Sequence, residues 1–337
     1  MNSNLASLLL SSVMSWDYVR LNSERPELEF MGSMKYDAYD RFMPGTRFMS
    51  SLVQWLNQFD KEDRATVLNF VKKKLVFISS PQMNYLVDLL YDSKIRPLLL
   101  RKATENAQTP SYMLCNKKVQ KQFEIEKRSA LVIGLSDGAH TDILRRSAGF
   151  NNEQVLTNYY PDGKKLKDML KDLREDKKLE GVENVYFRNI FLIDDFTASG
   201  KSFVRYDEKA KKFKGKLSKI IDELYATNIE PTEEEKKEGK KEELHLSYLL
   251  DANQPEIHID ILFCMATQKA EDNIRKSLDD FLEKRGYGKI KYHIHVVQKL
   301  DESLSRDITG DPDLMRVLEK PKYFHQNLKD DTAYKVG

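Results

Sequence analysis

Two adjacent carboxylates, Asp194 and Asp195, lead through Phe196 into a run of small and hydroxyl-bearing residues: Thr197, Ala198, Ser199, Gly200, Lys201 and Ser202. Three hydroxyls, and a glycine that lets backbone N–H groups approach closely, suit a phosphate; a helix following the run would add its positive end. The carboxylates are wrong for a bare phosphate. They suit a sugar's hydroxyls, or a Mg²⁺ that the ligand brings with it. Together the two groups of residues describe a site for a phosphorylated sugar.

A second segment has related chemistry. Ser136, Asp137, Gly138, Ala139, His140 and Thr141 form a loop of mostly small residues whose N–H groups can face an anion. Arg145 and Arg146 follow, and either neutralise that anion or face solvent. His140 either hydrogen-bonds within the loop or takes part in the chemistry. His293 and His295 share one strand face but bring no third ligand, so packed or edge-exposed histidines are expected there rather than a metal. Asp195-x₄-Gly200-Lys201-Ser202 also satisfies the second half of a P-loop. Asp195 stands where that motif needs its first glycine, and no second acidic strand is visible downstream, which leaves a P-loop NTPase as a remote alternative.

Each loop needs a strand to deliver it. The apolar run Ile190 to Ile193 reads as a central strand covered on both faces, so the polar residues after it emerge at the carboxyl edge, where open α/β sheets bind ligands. Ala130 to Gly134 delivers the first loop in the same way, with a helix through Ile143 and Leu144 behind it. Gln154 to Tyr159, Ile257 to Cys264 and Ile290 to Val297 supply three more strands. Ile274, Leu278, Phe281 and Leu282 stripe a helix between the last two. Five strands with helical crossovers predict a mostly parallel five-stranded sheet in a Rossmann-like α/β fold.

The segment from Asn189 to Ser202 resembles the phosphoribosyl-pyrophosphate signature of the type I phosphoribosyltransferases. The resemblance implies that Asp194 and Asp195 meet the ribose hydroxyls as the catalytic pair and touch a ligand-bound Mg²⁺, that Thr197 to Ser202 surround the 5′-phosphate, and that Ser136 to Thr141 hold pyrophosphate. Lys201 departs from the small residue usual there. The large helical N-terminal part and the charged insertions resemble a divergent phosphoribosyltransferase-like group of bacterial conflict and retron-type defence systems. That implies an antiviral effector acting on nucleotides, whose N-terminal domain contacts nucleic acid or a defence-system protein. A non-catalytic ribose-phosphate sensor and a partner-recruiting assembly protein are the alternatives.

Three segments extend a minimal domain of that type. Asp162 to Glu180 keeps Leu166, Met169, Leu170 and Leu173 at helical spacing and reads as a surface helix or a lid. Phe203 to Gly215 reads as a short hairpin inserted before the helix of Leu217, Ile220, Ile221 and Leu224. Thr232 to Glu243 is almost wholly charged and reads as a solvated loop.

Up to residue 110 the pattern is helical, with Leu52, Trp55, Leu56 and Phe59 on one face, then Val67, Phe70 and Val71. Ser80 and Pro81 read as a cap and first-turn proline. The expected organisation is a small helical domain over 1–110, with winged-helix as its nearest type, a linker over 111–127, and the α/β domain over 128–337. Lys72, Lys73 and Lys74 either touch nucleic-acid phosphates or form a solvated face. Across 337 residues, 55 basic and 53 acidic side chains give a net charge of +2, which argues neither for nor against nucleic acid. No stretch approaches the ~20 apolar residues of a membrane span, and the apolar start reads as a docked helix because no basic residue precedes Arg20. Cys115 and Cys264 match no metal spacing and read as reduced thiols of a cytoplasmic protein.

Overall fold

Apolar runs become interior strands when both faces can be covered. In the computed structural model, Ala130–Gly134 (β1) is buried at every residue, and Asn189–Thr197 (β3) is buried from Asn189 to Asp194. With Val155–Leu156 (β2), Ile257–Thr267 (β6) and Ile290–Leu300 (β7) they form one sheet in the order β2-β1-β3-β6-β7. Every pair in it is parallel. The expected five-stranded parallel α/β architecture is therefore present. Arg205–Asp207 (β4) and Lys212–Lys214 (β5) pair antiparallel as a separate hairpin, where the interruption before the next helix had predicted one.

The structure describes residues 3–34, 36–38, 47–75, 77–157, 161–232, 241–301 and 310–323. They fall into two compact units, one from Met1–Met83 with Asp301–Gly337 and the other from Asn84–Leu300. The division lies inside a helix, not at residue 110.

The first unit holds α1 (Ser3–Met14), α2 (Tyr18–Met34), α3 (Phe48–Leu56), α4 (Arg64–Lys74) and the start of α5 (Ser80–Leu90). Leu10, Leu28, Leu52, Leu56 and Val67 share its core. No strand lies among its described residues, so the winged-helix reading finds no wing there. The start of the chain forms α1, docked through Ala6 and Leu10 as expected.

In the second unit come α6 (Arg96–Asn106), α7 (Lys117–Arg128), α8 (Thr141–Ala148), α9 (Gly163–Arg174), α10 (Lys216–Tyr225) and α11 (Gln268–Arg285). The stretch 111–127, expected as a linker, contains most of α7. Its Val119, Ile125, Glu126 and Arg128 are buried, so this helix packs into the unit rather than bridging two. A further helix, α12 (Pro312–Leu318), belongs to the first unit.

One sheet face packs Leu131, Ile133, Ile190, Leu192, Ile259 and Ile261 against α9, α10 and α11. The alternate residues Val132, Phe191, Ile193 and Leu262 are buried on the other face, which explains runs without polar alternation. The apolar stripe of α9 lies in this core, so the helix reading of 162–180 holds over the lid reading. Residues 158 and 159 of the expected second strand and 233–240 of the charged run lie outside the described residues.

From β1 the chain crosses to β2 on one side and returns to β3 on the other. The carboxyl ends of β1 and β3 are thus neighbours whose following loops diverge, the crevice where parallel sheets take ligands.

Candidate functional site

The position of β3 is fixed at its buried start. Asn189 accepts from Lys102 Nζ at 2.6 Å and donates through Nδ2 to the backbone carbonyl and Oε2 of Glu126, both at 2.9 Å. Five residues on, the strand delivers Asp194. Successive side chains alternate between faces, so Asp194 falls on the face of α10 and Asp195 on the opposite one.

Asp194 is only 1% exposed, and its oxygens are engaged. Ser136 Oγ donates to Oδ1, as does the N–H of Asp195 at 3.1 Å, and Lys216 Nζ donates to Oδ2 at 2.8 Å. The first acid thus ties together the loop after β1, the end of β3 and the first residue of α10.

Asp195 is half-buried and lies against the other loop. A Cβ at Gly138 would sit 2.8 Å from its Oδ2, so any side chain there would have to push this carboxylate aside. Burial, then the charge of Asp194, raises the Asp195 pKa above the usual 3.8, while the N–H of Phe196, 2.8 Å from Oδ1, partly opposes this. A carboxyl raised on folding costs stability once ionised: the stability it allows is fully present below 3.8 and is lost as pH rises through its folded value.

The phosphate-loop candidates form a turn after β3. The N–H of Gly200 donates to Thr197 Oγ1 at 3.2 Å, and its carbonyl accepts from the N–H of Phe203 at 3.1 Å. Gly200 has φ +73°, and a Cβ there would meet the carbonyl oxygen of Ala270 at 2.7 Å and Ile274 Cγ1 at 2.9 Å. Its glycine is therefore required by close packing on α11 and by the left-handed backbone, rather than by a ligand filling that space. Thr267 Oγ1 and Asn273 Nδ2 tie the carbonyls of Ala198 and Ser199 to the same helix, at 2.6 and 3.0 Å. Ala198, Ser199, Lys201 and Ser202 are exposed, whereas Thr197 is buried.

No helix begins at Ser202. The hairpin intervenes, which removes the P-loop alternative, because that motif's lysine and hydroxyl must open a helix. When α10 does begin, the N–H groups of Lys216 and Leu217 donate to the carbonyls of Ser202 and Phe203, at 3.2 and 2.9 Å. Gly215 makes that return possible. It has φ +137°, and a Cβ there would lie 2.2 Å from the carbonyl oxygen of Phe203. Gly215→Ala is expected to cost about 2–3 kcal/mol, combining backbone strain and overpacking. Urea unfolding measures this; an unchanged midpoint would refute the close approach.

In the loop after β1, Asp137–Ala139 make a single 3₁₀ turn, and His140 adopts φ +49°, with its carbonyl accepting from Ile143 and Leu144 N–H at 3.1 Å to start α8. Thr141 is buried, Arg145 half-buried and Arg146 exposed. The structure thus brings Ser136, Gly138, Asp194 and Asp195 together. It puts Thr197 to Ser202 in the turn that continues from them.

Sequence reasoning missed the cations around this edge. A cavity of about 690 Å³ is lined by Ser136, Thr157 and Ser202 together with Arg205, Lys212, Lys214, Lys216 and Lys219. Charged residues in a short insertion look like a solvated surface. The usable signal was that the insertion stands between the loop and its helix, which obliges it to wall the site.

The remaining candidates are structural. His295 Nε2 and His293 Nδ1 lie 2.8 and 3.8 Å from the buried Asp260 Oδ1, an acid on the neighbouring strand. Among the described residues the only cluster of three or more metal-ligating side chains is Asp60, Glu62 and Asp63, in the first unit. Both cysteines are free; burial, then the charges of Asp195 and Asp194, push the Cys264 thiol up to about 12, which leaves it inert. Among the described residues no helix is long and apolar enough to cross a membrane.

A family model described as PRTase-CE matches residues 52–306, about three quarters of the chain. No curated protein and no solved structure matches it.

Proposed function

Because the chain belongs to the PRTase-CE family, whose name denotes a phosphoribosyltransferase-like protein, we propose that its α/β unit binds phosphoribosyl pyrophosphate and transfers the phosphoribosyl group. One observation carries this reading: at the crossover point, the loop after β1 meets the carboxyl end of β3, with Ser136 donating to Asp194 and Gly138 lying against Asp195, and the turn from Thr197 to Ser202 continues from there. A donor with pyrophosphate at one end and a 5′-phosphate at the other needs two anion-holding loops on either side of a sugar-binding acid.

In this reading Asp195 orients the ribose hydroxyls, the turn Thr197 to Ser202 holds the 5′-phosphate and Ser136 to Thr141 face pyrophosphate. The bond between the anomeric carbon and the pyrophosphate oxygen breaks, its electron pair leaves with pyrophosphate, and the acceptor forms the new bond at that carbon through an oxocarbenium-like state. The negative charge of Asp195 favours that developing cation. Asp194 positions Ser136 and Lys216 rather than touching sugar. With Asp194 engaged, the donor set fits a Mg²⁺ held mainly by the ligand's own phosphate oxygens, beside Asp195. When bound, that ion would neutralise the charge on departing pyrophosphate.

A non-catalytic sensor is the second reading, favoured by the engagement of Asp194, which leaves one accessible acid where the signature provides two. The defence reading makes the acceptor a nucleotide or nucleobase in the cytoplasm, where two free thiols persist. For the first unit we favour a protein partner over nucleic acid. Lys72 is already held by Glu24 and Glu27 at 2.8 and 2.6 Å, whereas α1 and α2 expose Leu5, Leu8, Phe30 and Met34.

Mass spectrometry of a nucleotide pool incubated with the protein, Mg²⁺ and phosphoribosyl pyrophosphate tests turnover and acceptor together. Transfer predicts free pyrophosphate and a new phosphoribosylated mass. Saturable binding of the donor without product selects the sensor, and no binding ends both readings.

A further inference from the structure

The cavity at the hairpin has more positive charge than a phosphoribosyl donor explains. Five of its lining side chains are cationic and none is acidic, in a chain whose net charge is only +2. They come from two elements. Arg205, Lys212 and Lys214 lie on the hairpin, and Lys216 and Lys219 on the first turn of α10, one turn apart on the same side.

The hairpin is held in place by its other face. Tyr206 and Phe213 are directly opposed, and the Phe213 ring lies 5.2 Å from that of Phe281 on α11. Period-two alternation puts Arg205, Asp207, Lys212 and Lys214 on one face of the hairpin and Tyr206 and Phe213 on the other, and the cavity takes Arg205, Lys212 and Lys214 from the first and Phe213 from the second. Arg205 and Lys214 are cross-strand partners. Like charges directly opposite one another destabilise a strand pair unless an anion lies between them. Asp207 offsets part of this by accepting from Lys214 Nζ at 2.5 Å, a bond that chiefly holds its own pKa down to about 2. Lys216 is committed to Asp194. Lys212 and Lys219 are exposed.

The floor of the cavity is apolar, formed by Leu156, Phe213, Ile220 and Leu246, with hydroxyls from Ser136, Thr157 and Ser202 at the edge. Its volume suits one nucleotide-sized molecule. We propose that this cavity binds a nucleoside triphosphate, its phosphate chain along Arg205, Lys212, Lys214 and Lys219 and its base on the apolar floor. The cavity shares Ser136 and Ser202 with the loops of the transfer reading, but none of its five cations is assigned to the donor there, so the triphosphate is a further ligand whose binding does not require transfer.

Isothermal titration calorimetry of the full chain with ATP, GTP, CTP and UTP tests the proposal, with inorganic tripolyphosphate and a ten-residue single-stranded oligonucleotide alongside. At least one triphosphate is expected to bind, and inorganic tripolyphosphate more weakly than it. Lys212→Ala with Lys219→Ala is expected to weaken the triphosphate by roughly tenfold or more, since each charge-assisted hydrogen bond contributes at least that order. Lys212→Arg with Lys219→Arg should retain most of the affinity, and both variants should keep the wild-type melting temperature because the two side chains are exposed. Three outcomes overturn the proposal: no triphosphate binding, wild-type affinity in the double alanine variant, or tripolyphosphate binding as tightly as any nucleotide. Tighter binding of the oligonucleotide would replace the small ligand by nucleic acid. Asp195→Asn separates the two conclusions, because it should remove transfer while leaving triphosphate affinity intact.

Discussion

Asp195→Asn is expected to slow phosphoribosyl transfer by about a thousandfold, the scale seen when one group stabilising a transition-state charge is removed. The substitution keeps the shape of the side chain and the hydrogen bond that Oδ1 accepts from Phe196 N–H. It removes a charge that the folded protein holds at a cost, since burial and the neighbouring Asp194 both raise this carboxyl's pKa. Stability at neutral pH should therefore stay the same or rise while the rate falls, a combination that a merely structural residue does not give. The wild-type rate should also decline on the acid side at a pH above that of an ordinary aspartate, because the working form is the ionised one. Steady-state rates from pH 5 to 9, with urea unfolding of both proteins, measure all three. A full rate in the Asn variant would remove Asp195 from the ribose.

Lys216→Met is expected to cost about 2–3 kcal/mol of stability. It leaves Asp194 buried with no cation beside it, and breaking one side of a buried pair costs ~3–5 kcal/mol; the partial exposure of Lys216 places this case at the low end. Combining it with Asp194→Leu should recover much of the loss, because the buried charge goes with its partner. Urea unfolding of the two single variants and the double variant closes the cycle. Additive losses would mean that the ion pair is not what joins α10 to β3.

The middle of the sheet was legible because β1 and the first half of β3 carry little but apolar residues. Ala130 to Gly134 and Ile190 to Ile193 have no polar alternation, which only a strand covered on both faces tolerates. The two loops could be located for the same reason, since a buried strand must hand over to polar residues at its end. Individual roles were harder to read. Asp194 and Asp195 look equivalent in sequence, but alternation sends them to opposite faces, and Ser136 and Lys216, 58 and 22 positions away, decide which is engaged. Gly200 looks like a ligand glycine and is a packing glycine, because the helix it touches begins about seventy residues later. The boundary at residue 110 was misplaced because polar, Pro-containing sequence around 105–116 resembles a connection, while Ile125 of α7 joins a core formed with strands that come later in the chain.

The first unit has its own long-range dependence. Tyr323 donates to Asp63 Oδ2 and accepts from the N–H of Asp60, each at 2.8 Å, and Lys320 joins the same fully buried Asp63. These partners are about 260 positions apart. During synthesis the helices made first must therefore wait with an uncompensated carboxylate until the ribosome has passed Tyr323, while the unit between them can complete its sheet earlier. Birth order and completion order are therefore expected to be reversed, and a released chain truncated after residue 300 should protect its strands from protease better than its opening helices.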